Sequence, residues 1–297
     1  MKQLALSFSP FTYPGLYREY FRSLPGEPRA LGDLLSHQII HRVTLAQGNA
    51  YANADRRYGD MTRWPWHRSA CQDDIYLTAP AMAAGLFRLD ERGFVPDRAV
   101  EHKLVLTCRF VAVLAASIFK SKGIPCRCRA GFAPYCRPGS SMDHWINQLW
   151  LEQEGRWLTF DADGLYDGLG MPVTQYDMKP EEFDWAGDVW LAIRRGGTDG
   201  ARFVYADSLG TCGLRAAARY LVYDLCALMN FEVSYVFAPR FLAPFLNREA
   251  EAIPPAQLEK MDALARLLQD PDENGPALQA FWESEREFRD MVSPLVG

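Results

Sequence analysis

The sequence predicts an α+β fold in which helices flank one central antiparallel sheet. Three observations predict it. Apolar residues recur at helical spacing up to about residue 122 and again after about 180. Between Cys126 and Asp161 the spacing changes to period two. The strands in that stretch follow one another without intervening helices, the order of a meander beside segregated helices rather than of a doubly wound sheet.

Residues 1–30 carry Pro10, Pro14, Pro25 and Pro28 and read as mostly irregular. "ALGDLLSHQIIHRVTLAQ" places Leu34, Ile39 and Val43 at helical spacing and predicts a helix over 30–47. "YLTAPAMAAGLFRL", residues 76–89, predicts a second helix interrupted at Pro80. "LTCRFVAVLAASIFKSKG" predicts the third and clearest. Thr107 is its N-cap, so Cys108 falls in the first turn; Lys120 and Lys122 suit the negative end of the dipole, and Gly123 suits the C-terminal cap.

"PCRCRAGFAPY" alternates, with Cys126, Cys128, Ala130 and Phe132 on one face and Arg127 and Arg129 on the other. "DHWINQLWLEQEGRWLTFDAD" predicts two further strands joined by a turn at Glu154-Gly155. Four helices follow in "PEEFDWAGDVWLAIRRG", "GLRAAARYLVYDLCALMN", "PAQLEKMDALARLLQD" and "PALQAFWESEREFRDMV".

Composition narrows the function classes. At 48% hydrophobic and 23% charged, the 297 residues have the make-up of a globular protein. The net charge of −5 disfavours non-specific nucleic-acid binding, which rests on neutralising phosphates. No apolar run of 18 residues is present, so no membrane span or membrane partner is expected, and "MKQLALSFSPFTYPG" is a poor signal peptide. Seven cysteines at irregular spacing read as free thiols in a reducing cytoplasm.

A thiol becomes a nucleophile when it ionises, and a helix N-terminus and an imidazole both favour the thiolate. Cys108 has the first. His144 opens a strand and Asp161 ends the next. His144, Ile146, Gln148 and Trp150 share one strand face; Trp157, Thr159 and Asp161 share one on its neighbour. A tight turn brings such strands side by side, and the expectation is that this shared face receives the Cys108 helix. The three residue types then form a nucleophile, a base and an orienter.

The order "C-R-F-x-A", "G-I-P-C-R", "G-F", "D-H-W-I" and "W-L-T-F-D-A" over about 104–163 resembles the transglutaminase-like superfamily in its bacterial-type domain. The resemblance implies a papain-like core over about 75–178: a nucleophile helix packed on an antiparallel sheet, with Cys108 as nucleophile, His144 as general base and acid, and Asp161 as orienter. "GIPCR" resembles the family's turn from helix into sheet. The family often has an acidic residue after the nucleophile, where Arg109 stands here, which bears on substrate preference. A side-chain oxyanion donor upstream of the nucleophile is also implied; Trp64, Trp66 and Gln72 in "RWPWHRSACQDD" are the candidates, beside the Cys108 backbone N–H. Arg109 and Trp145 complete the candidate cleft.

The implied function is cysteine-dependent acyl transfer or amide hydrolysis through a Cys108 acyl-enzyme, on a specific intracellular amide, peptide or acyl thioester, with no metal or organic cofactor. The chain lacks calcium-loop signatures and so is less like the calcium-dependent cross-linking enzymes. The alternative from another class is a catalytically silent binding module on the same fold. Segments 1–74 and 179–297 are expected to be mainly helical elaborations, packed with the core as one unit because no Gly/Ser/Pro-rich linker separates them.

Other clusters have plainer readings. "HQIIH" spaces His37 and His41 as helical zinc ligands would be, but Gln38 stands where a general base belongs and no third ligand follows. Cys126, Cys128 and Cys136 form no C-x-x-C pair and read as core thiols. "RYGD" at 57–60 and "QDD" at 72–74 read as exposed loop, "IRRGG" with Arg202 as a solvated helix end, and "DSLGTCGL" as a capping turn.

Overall fold

A computed structural model describes residues 1–41, 64–68, 72–163, 173–205, 211–235, 237–246 and 253–292. In chain order the elements are α1 (Lys2–Leu6), α2 (Arg18–Ser23), α3 (Pro28–Ser36), β1 (Ile39–His41), α4 (Ala79–Leu89), β2 (Leu104–Leu106), α5 (Cys108–Ser121), β3 (Cys126–Ala133), β4 (Ser141–Leu151), β5 (Arg156–Phe160), β6 (Asp184–Trp185), α6 (Ala186–Arg194), β7 (Phe203–Val204), α7 (Leu214–Leu228), β8 (Ala238–Pro239), α8 (Ala243–Leu246), α9 (Pro255–Gln269), α10 (Gly275–Ser284) and β9 (Met291–Val292). The fold is mixed: helices with a five-stranded sheet in the order β5-β4-β3-β6, β7 pairing with β4. β4 runs antiparallel to β5 and β3 antiparallel to β6, while β7 joins β4 in parallel.

The chain divides into two compact units: Leu6–Arg127 with Ile146–Met178, and Met1–Ala5 with Cys128–Trp145 and Lys179–Gly297. The division crosses β3 and β4, inside the segment 75–178 expected as the core.

In the first unit α5 is buried along its whole length, as its unbroken run of Ala, Val, Leu, Ile and Phe requires. It stops where the sequence says it should. Gly123 takes φ +79° and donates its N–H to the Lys120 carbonyl, while the Ile124 N–H bonds the Phe119 carbonyl, a left-handed C-terminal cap. Lys122 does not serve its own helix end; its Nζ reaches the Arg22 carbonyl at 2.6 Å and the Leu24 carbonyl, tying down the end of α2.

The sheet meets α5 through Asn147 of β4 and Phe160 of β5. The Asn147 amide donates to the Ala112 carbonyl at 2.9 Å, and Phe160, opposite Asn147 in register, packs edge-on against Phe119 at 5.7 Å. The other face carries a polar ladder: Arg127 Nε donates to Gln148 Oε1 at 2.9 Å and Gln148 Nε2 to Thr159 Oγ1 at 3.1 Å, with the guanidinium 3.9 Å from the Trp157 ring centroid. This corrects the expectation that the face of Gln148 and Thr159 receives the helix body. Alternation separated Gln148 and Thr159 from Asn147 and Phe160; it could not say which of the two faces α5 covers. The β4–β5 turn is as expected, with Gly155 at φ +63° and its N–H on the Leu151 carbonyl.

Two helix readings change. "HQIIH" is not one helix: α3 ends at Ser36, His37 is its C-cap, and Ile39–His41 is strand β1, paired in parallel with β2. The cause is tertiary, because Ile39 and Ile40 gain burial and a hydrogen-bonding partner strand there. Pro80 does not interrupt a helix. It sits in the first turn of α4, where its missing N–H costs nothing, behind the N-cap Thr78. Residues 1–30, expected to be mostly irregular, form the short helices α1, α2 and the start of α3, where Glu27 caps the Arg29 and Ala30 N–H groups.

In the second unit Arg129 of β3 is buried against Asp224 of α7, with two bonds of 2.8 Å, and Asp224 Oδ1 also accepts the Ala130 backbone N–H at 3.0 Å. That carboxylate meets an edge N–H of β3 that lies one residue before the pairing with β6 begins at Gly131. Phe132 and Trp145 pack on Tyr220 and Tyr223 of the same helix. α6 and α9 are joined by Asp262, which accepts from Trp190 Nε1 at 2.7 Å and from Arg194.

Candidate active site

The backbone that leads into Cys108 is held on two sides. β1 supplies parallel pairing, with His41 opposite Leu106. The loop at Gln72 supplies the other side: its N–H donates to the Val105 carbonyl at 3.0 Å and its side-chain Oε1 accepts the Val105 N–H at 2.8 Å. Gln72 therefore pairs with β2 as a strand residue would, and its amide Nε2 is left as the donating end. One residue on, buried Asp73 accepts the Thr107 hydroxyl at 3.1 Å.

Thr107 has the extended backbone of an N-cap, φ −112° and ψ 175°, yet makes no side-chain capping bond. With its hydroxyl directed to Asp73, it does not occupy the orphan N–H groups of the first turn of α5. The partial positive charge of the helix end lies at Cys108, the first residue of α5, which is in no disulfide and 4% exposed.

Asp161 follows β5 and is fully buried. Its N–H donates to the Gln175 carbonyl at 3.0 Å and its own carbonyl accepts Gln175 Nε2 at 2.9 Å, so the chain leaving β5 is clamped. Its Oδ1 accepts the Asp163 N–H at 2.9 Å. Burial first, and then the carboxylates of Asp33 and Asp161, push the Tyr176 phenol above its ordinary range.

In the other unit His144 is buried on β4, with Tyr135 edge-on at 6.1 Å. Its neighbour Trp145 is also buried, tilted against Tyr223 at 6.1 Å.

The remaining candidates have structural contacts. Arg109 is fully buried; its Nη1 donates to the Leu77 carbonyl at 3.1 Å and its guanidinium lies 4.8 Å from the Phe11 ring centroid and 4.7 Å from that of Phe110. Trp64 packs with Ile40 and Val105 beneath the β1–β2 pair, under the Arg68 guanidinium. Trp66 lies in the short 3-10 turn Trp66–Arg68, and its side chain is outside the described residues, as is "RYGD".

His37 and His41 occupy a helix cap and a strand, so the i, i+4 spacing that suggested a metal face does not exist. Burial and the Lys103 charge hold the His37 imidazole below its usual range, against the pull of Asp33. His41 instead faces Asp163, Nε2 to Oδ2 at 3.6 Å, with both side chains about one-twentieth exposed. Among the described residues no group of three His, Cys, Asp or Glu side chains is placed to hold a metal ion. Sequence reasoning missed Asp73, read as exposed loop, and Asp163. The sole local signal for Asp163 was the repeated acid in "DAD".

Residues 90–162 match the family model of the transglutaminase-like superfamily, and that segment contains Cys108, His144 and Asp161. The chemistry of that superfamily is cysteine-based acyl transfer or hydrolysis. No curated protein and no solved structure matches the chain. Among the described residues no helix is long and apolar enough to cross a membrane.

Proposed function

We propose that the protein is a thiol acyltransferase or amide hydrolase, built on a papain-like core, with Cys108 as nucleophile, His144 as general base and acid, and Asp161 as orienter. The observation that carries the reading is the first turn of α5: a cysteine outside any disulfide at its first residue, with an N-cap threonine whose hydroxyl is bonded to Asp73 and not to the helix amides. A helix N-terminus favours an anion, first the thiolate and then the oxyanion.

The chemistry follows in two halves. The Cys108 thiolate attacks the carbonyl carbon of an amide, peptide or acyl thioester. The oxyanion takes hydrogen bonds from the first-turn N–H groups, with Gln72 Nε2 as the side-chain donor in preference to Trp64, because the Gln72 carbonyl end is already committed to Val105. His144 protonates the leaving amine or thiol, which departs and leaves a Cys108 acyl-enzyme. Water or an amine then loses its proton to His144 and attacks the acyl carbon, releasing product and thiol. These steps use no metal or organic cofactor. The substrate would be a specific intracellular amide, peptide or acyl thioester, the protein acting in the cytoplasm.

A second reading, a catalytically silent binding module, is favoured by the 4% exposure of Cys108. Site-resolved alkylation with iodoacetamide at pH 6–7 separates the two. The enzyme reading expects Cys108 to label faster than exposed Cys212, and His144→Ala to abolish that advantage. Labelling of Cys108 that is slower than Cys212 and indifferent to His144 supports the binding module.

A further inference from the structure

The proposed triad accounts for Asp161 but not for the buried pair beside it. His41 and Asp163 are each about one-twentieth exposed and face one another at 3.6 Å. Removing a histidine and a carboxylate from water is costly, and facing each other at 3.6 Å offsets part of that cost. Each is joined to a different part of the candidate site. His41 is the last residue of β1 and lies opposite Leu106, two residues before Cys108. Asp163 donates its backbone N–H to Asp161 Oδ1 at 2.9 Å. The pair therefore links the strand that feeds the nucleophile to the turn that carries the orienter, two segments otherwise far apart along the chain.

Resting on the acyl-transfer reading, we infer that His41 and Asp163 are positioning residues for Asp161. Asp163 Oδ2 lies 3.6 Å from His41 Nε2, an ion-pair contact longer than a hydrogen bond, and this attraction holds the 161–163 turn against β1. That turn aims the Asp163 N–H at one oxygen of Asp161 and so sets the rotation of the carboxylate. Neither residue touches substrate. Among the described residues the charged and titratable groups around these elements include Asp161, Asp163 and His41 themselves, Asp73 on the Thr107 hydroxyl, buried Lys103 directly before β2, and Tyr176, which senses the charges of Asp33, Asp161 and Arg29.

The test reads the thiol. A misaimed Asp161 stabilises the imidazolium of His144 less, the thiolate loses its partner, and the Cys108 pH–rate profile for iodoacetamide shifts upward. His41→Gln and Asp163→Asn are made singly, and His41→Gln also in an Asp161→Asn background; Asp163→Asn keeps the backbone N–H and nearly the same volume. The expected result is a shift of about one pH unit, so roughly tenfold slower Cys108 labelling at pH 6, with the Cys212 profile unmoved. In the Asp161→Asn background His41→Gln is expected to add nothing, because it acts through the group already removed.

An equal slowing in both backgrounds, or no slowing in the wild-type background, overturns the inference. Loss of the folded state in both single variants assigns the pair to stability and overturns it as well. A wild-type Cys108 that never labels faster than Cys212 is a different failure: it removes the acyl-transfer reading itself, and the positioning role with it.

Discussion

The Asp73 carboxylate accepts the Thr107 hydroxyl at 3.1 Å, and this bond turns the N-cap residue of the Cys108 helix away from the helix it caps. An N-cap hydroxyl normally satisfies one of the orphan amides. Here a buried acid takes the hydroxyl, and Thr107 gives its helix no side-chain cap.

The first prediction tests that competition. Asp73→Ala leaves the Thr107 hydroxyl without its acceptor in a site where both residues are buried. The expected cost is about 1–3 kcal/mol in a urea unfolding titration. Thr107→Val in the Asp73→Ala background should cost less than the sum of the two single changes, since the unpaired polar group is then gone. Additive costs would mean that the bond contributes nothing of its own.

The second contrasts two Arg–Asp pairs. Asp224→Ala strands the buried Arg129, whose side chain is 4% exposed, and also unpairs the Ala130 N–H. A loss of about 3–5 kcal/mol is expected. Asp177→Ala removes a pair with Arg156 that is nearly half exposed on both sides. A loss under about 1 kcal/mol is expected, shrinking in high salt. Equal losses for the two would contradict the burial argument.

The third concerns acid stability. Burial raises the Asp262 carboxyl, but hydrogen bonds from Arg194 and Trp190 outweigh it, and the net effect holds the group below its usual range. A depressed carboxylate stabilises the fold above its unfolded pKa of about 3.9 and loses that contribution as pH falls through the lower folded value. The melting temperature of Asp262→Asn should therefore lie below wild type at pH 6. The gap should narrow steadily below about pH 4. A gap that widens in acid would reverse the assigned sign.

The fourth concerns a close approach in the sheet. A Cβ built on Gly131 would lie 2.7 Å from the Asp184 backbone oxygen and 2.5 Å from the Phe183 ring. Gly131 pairs with Trp185, so the obstructing oxygen belongs to the partner strand and cannot rotate aside. Gly131→Ala should cost about 1–3 kcal/mol in thermal or denaturant unfolding. Gly139→Ala is no control for packing alone, because Gly139 sits at φ +78° with nothing within 4 Å and would report backbone strain instead.

The elements that were legible in the sequence are those whose signals are local. α5 could be read because its N-cap, apolar run and Gly123 stop lie within one stretch of chain. The β3–β5 meander could be read from alternation and from the Glu154-Gly155 turn. Cys126 and Cys128 are core thiols for the same reason, both fully buried on the alternating face. Boundaries failed where a distant partner decided. The segment expected as one helix through His41 breaks at His37, because β2, more than sixty residues later, pairs with Ile39–His41. The helix expected from Pro180 begins at Ala186, because Asp184 and Trp185 are taken by β3.

By itself the sequence determined which residue types were available for chemistry and the order in which they come: a cysteine at a helix start, a histidine on one strand, an aspartate after the next. Those follow from periodicity and capping, which act over a few residues. Only the tertiary structure decided that Asp73 lies on Thr107, that His41 faces Asp163, and that α5 covers the face of Asn147 and Phe160 instead of that of Gln148 and Thr159. The reason is physical. A buried polar group or an apolar sheet face needs some partner, but local sequence does not name which distant segment supplies it; packing the whole chain does.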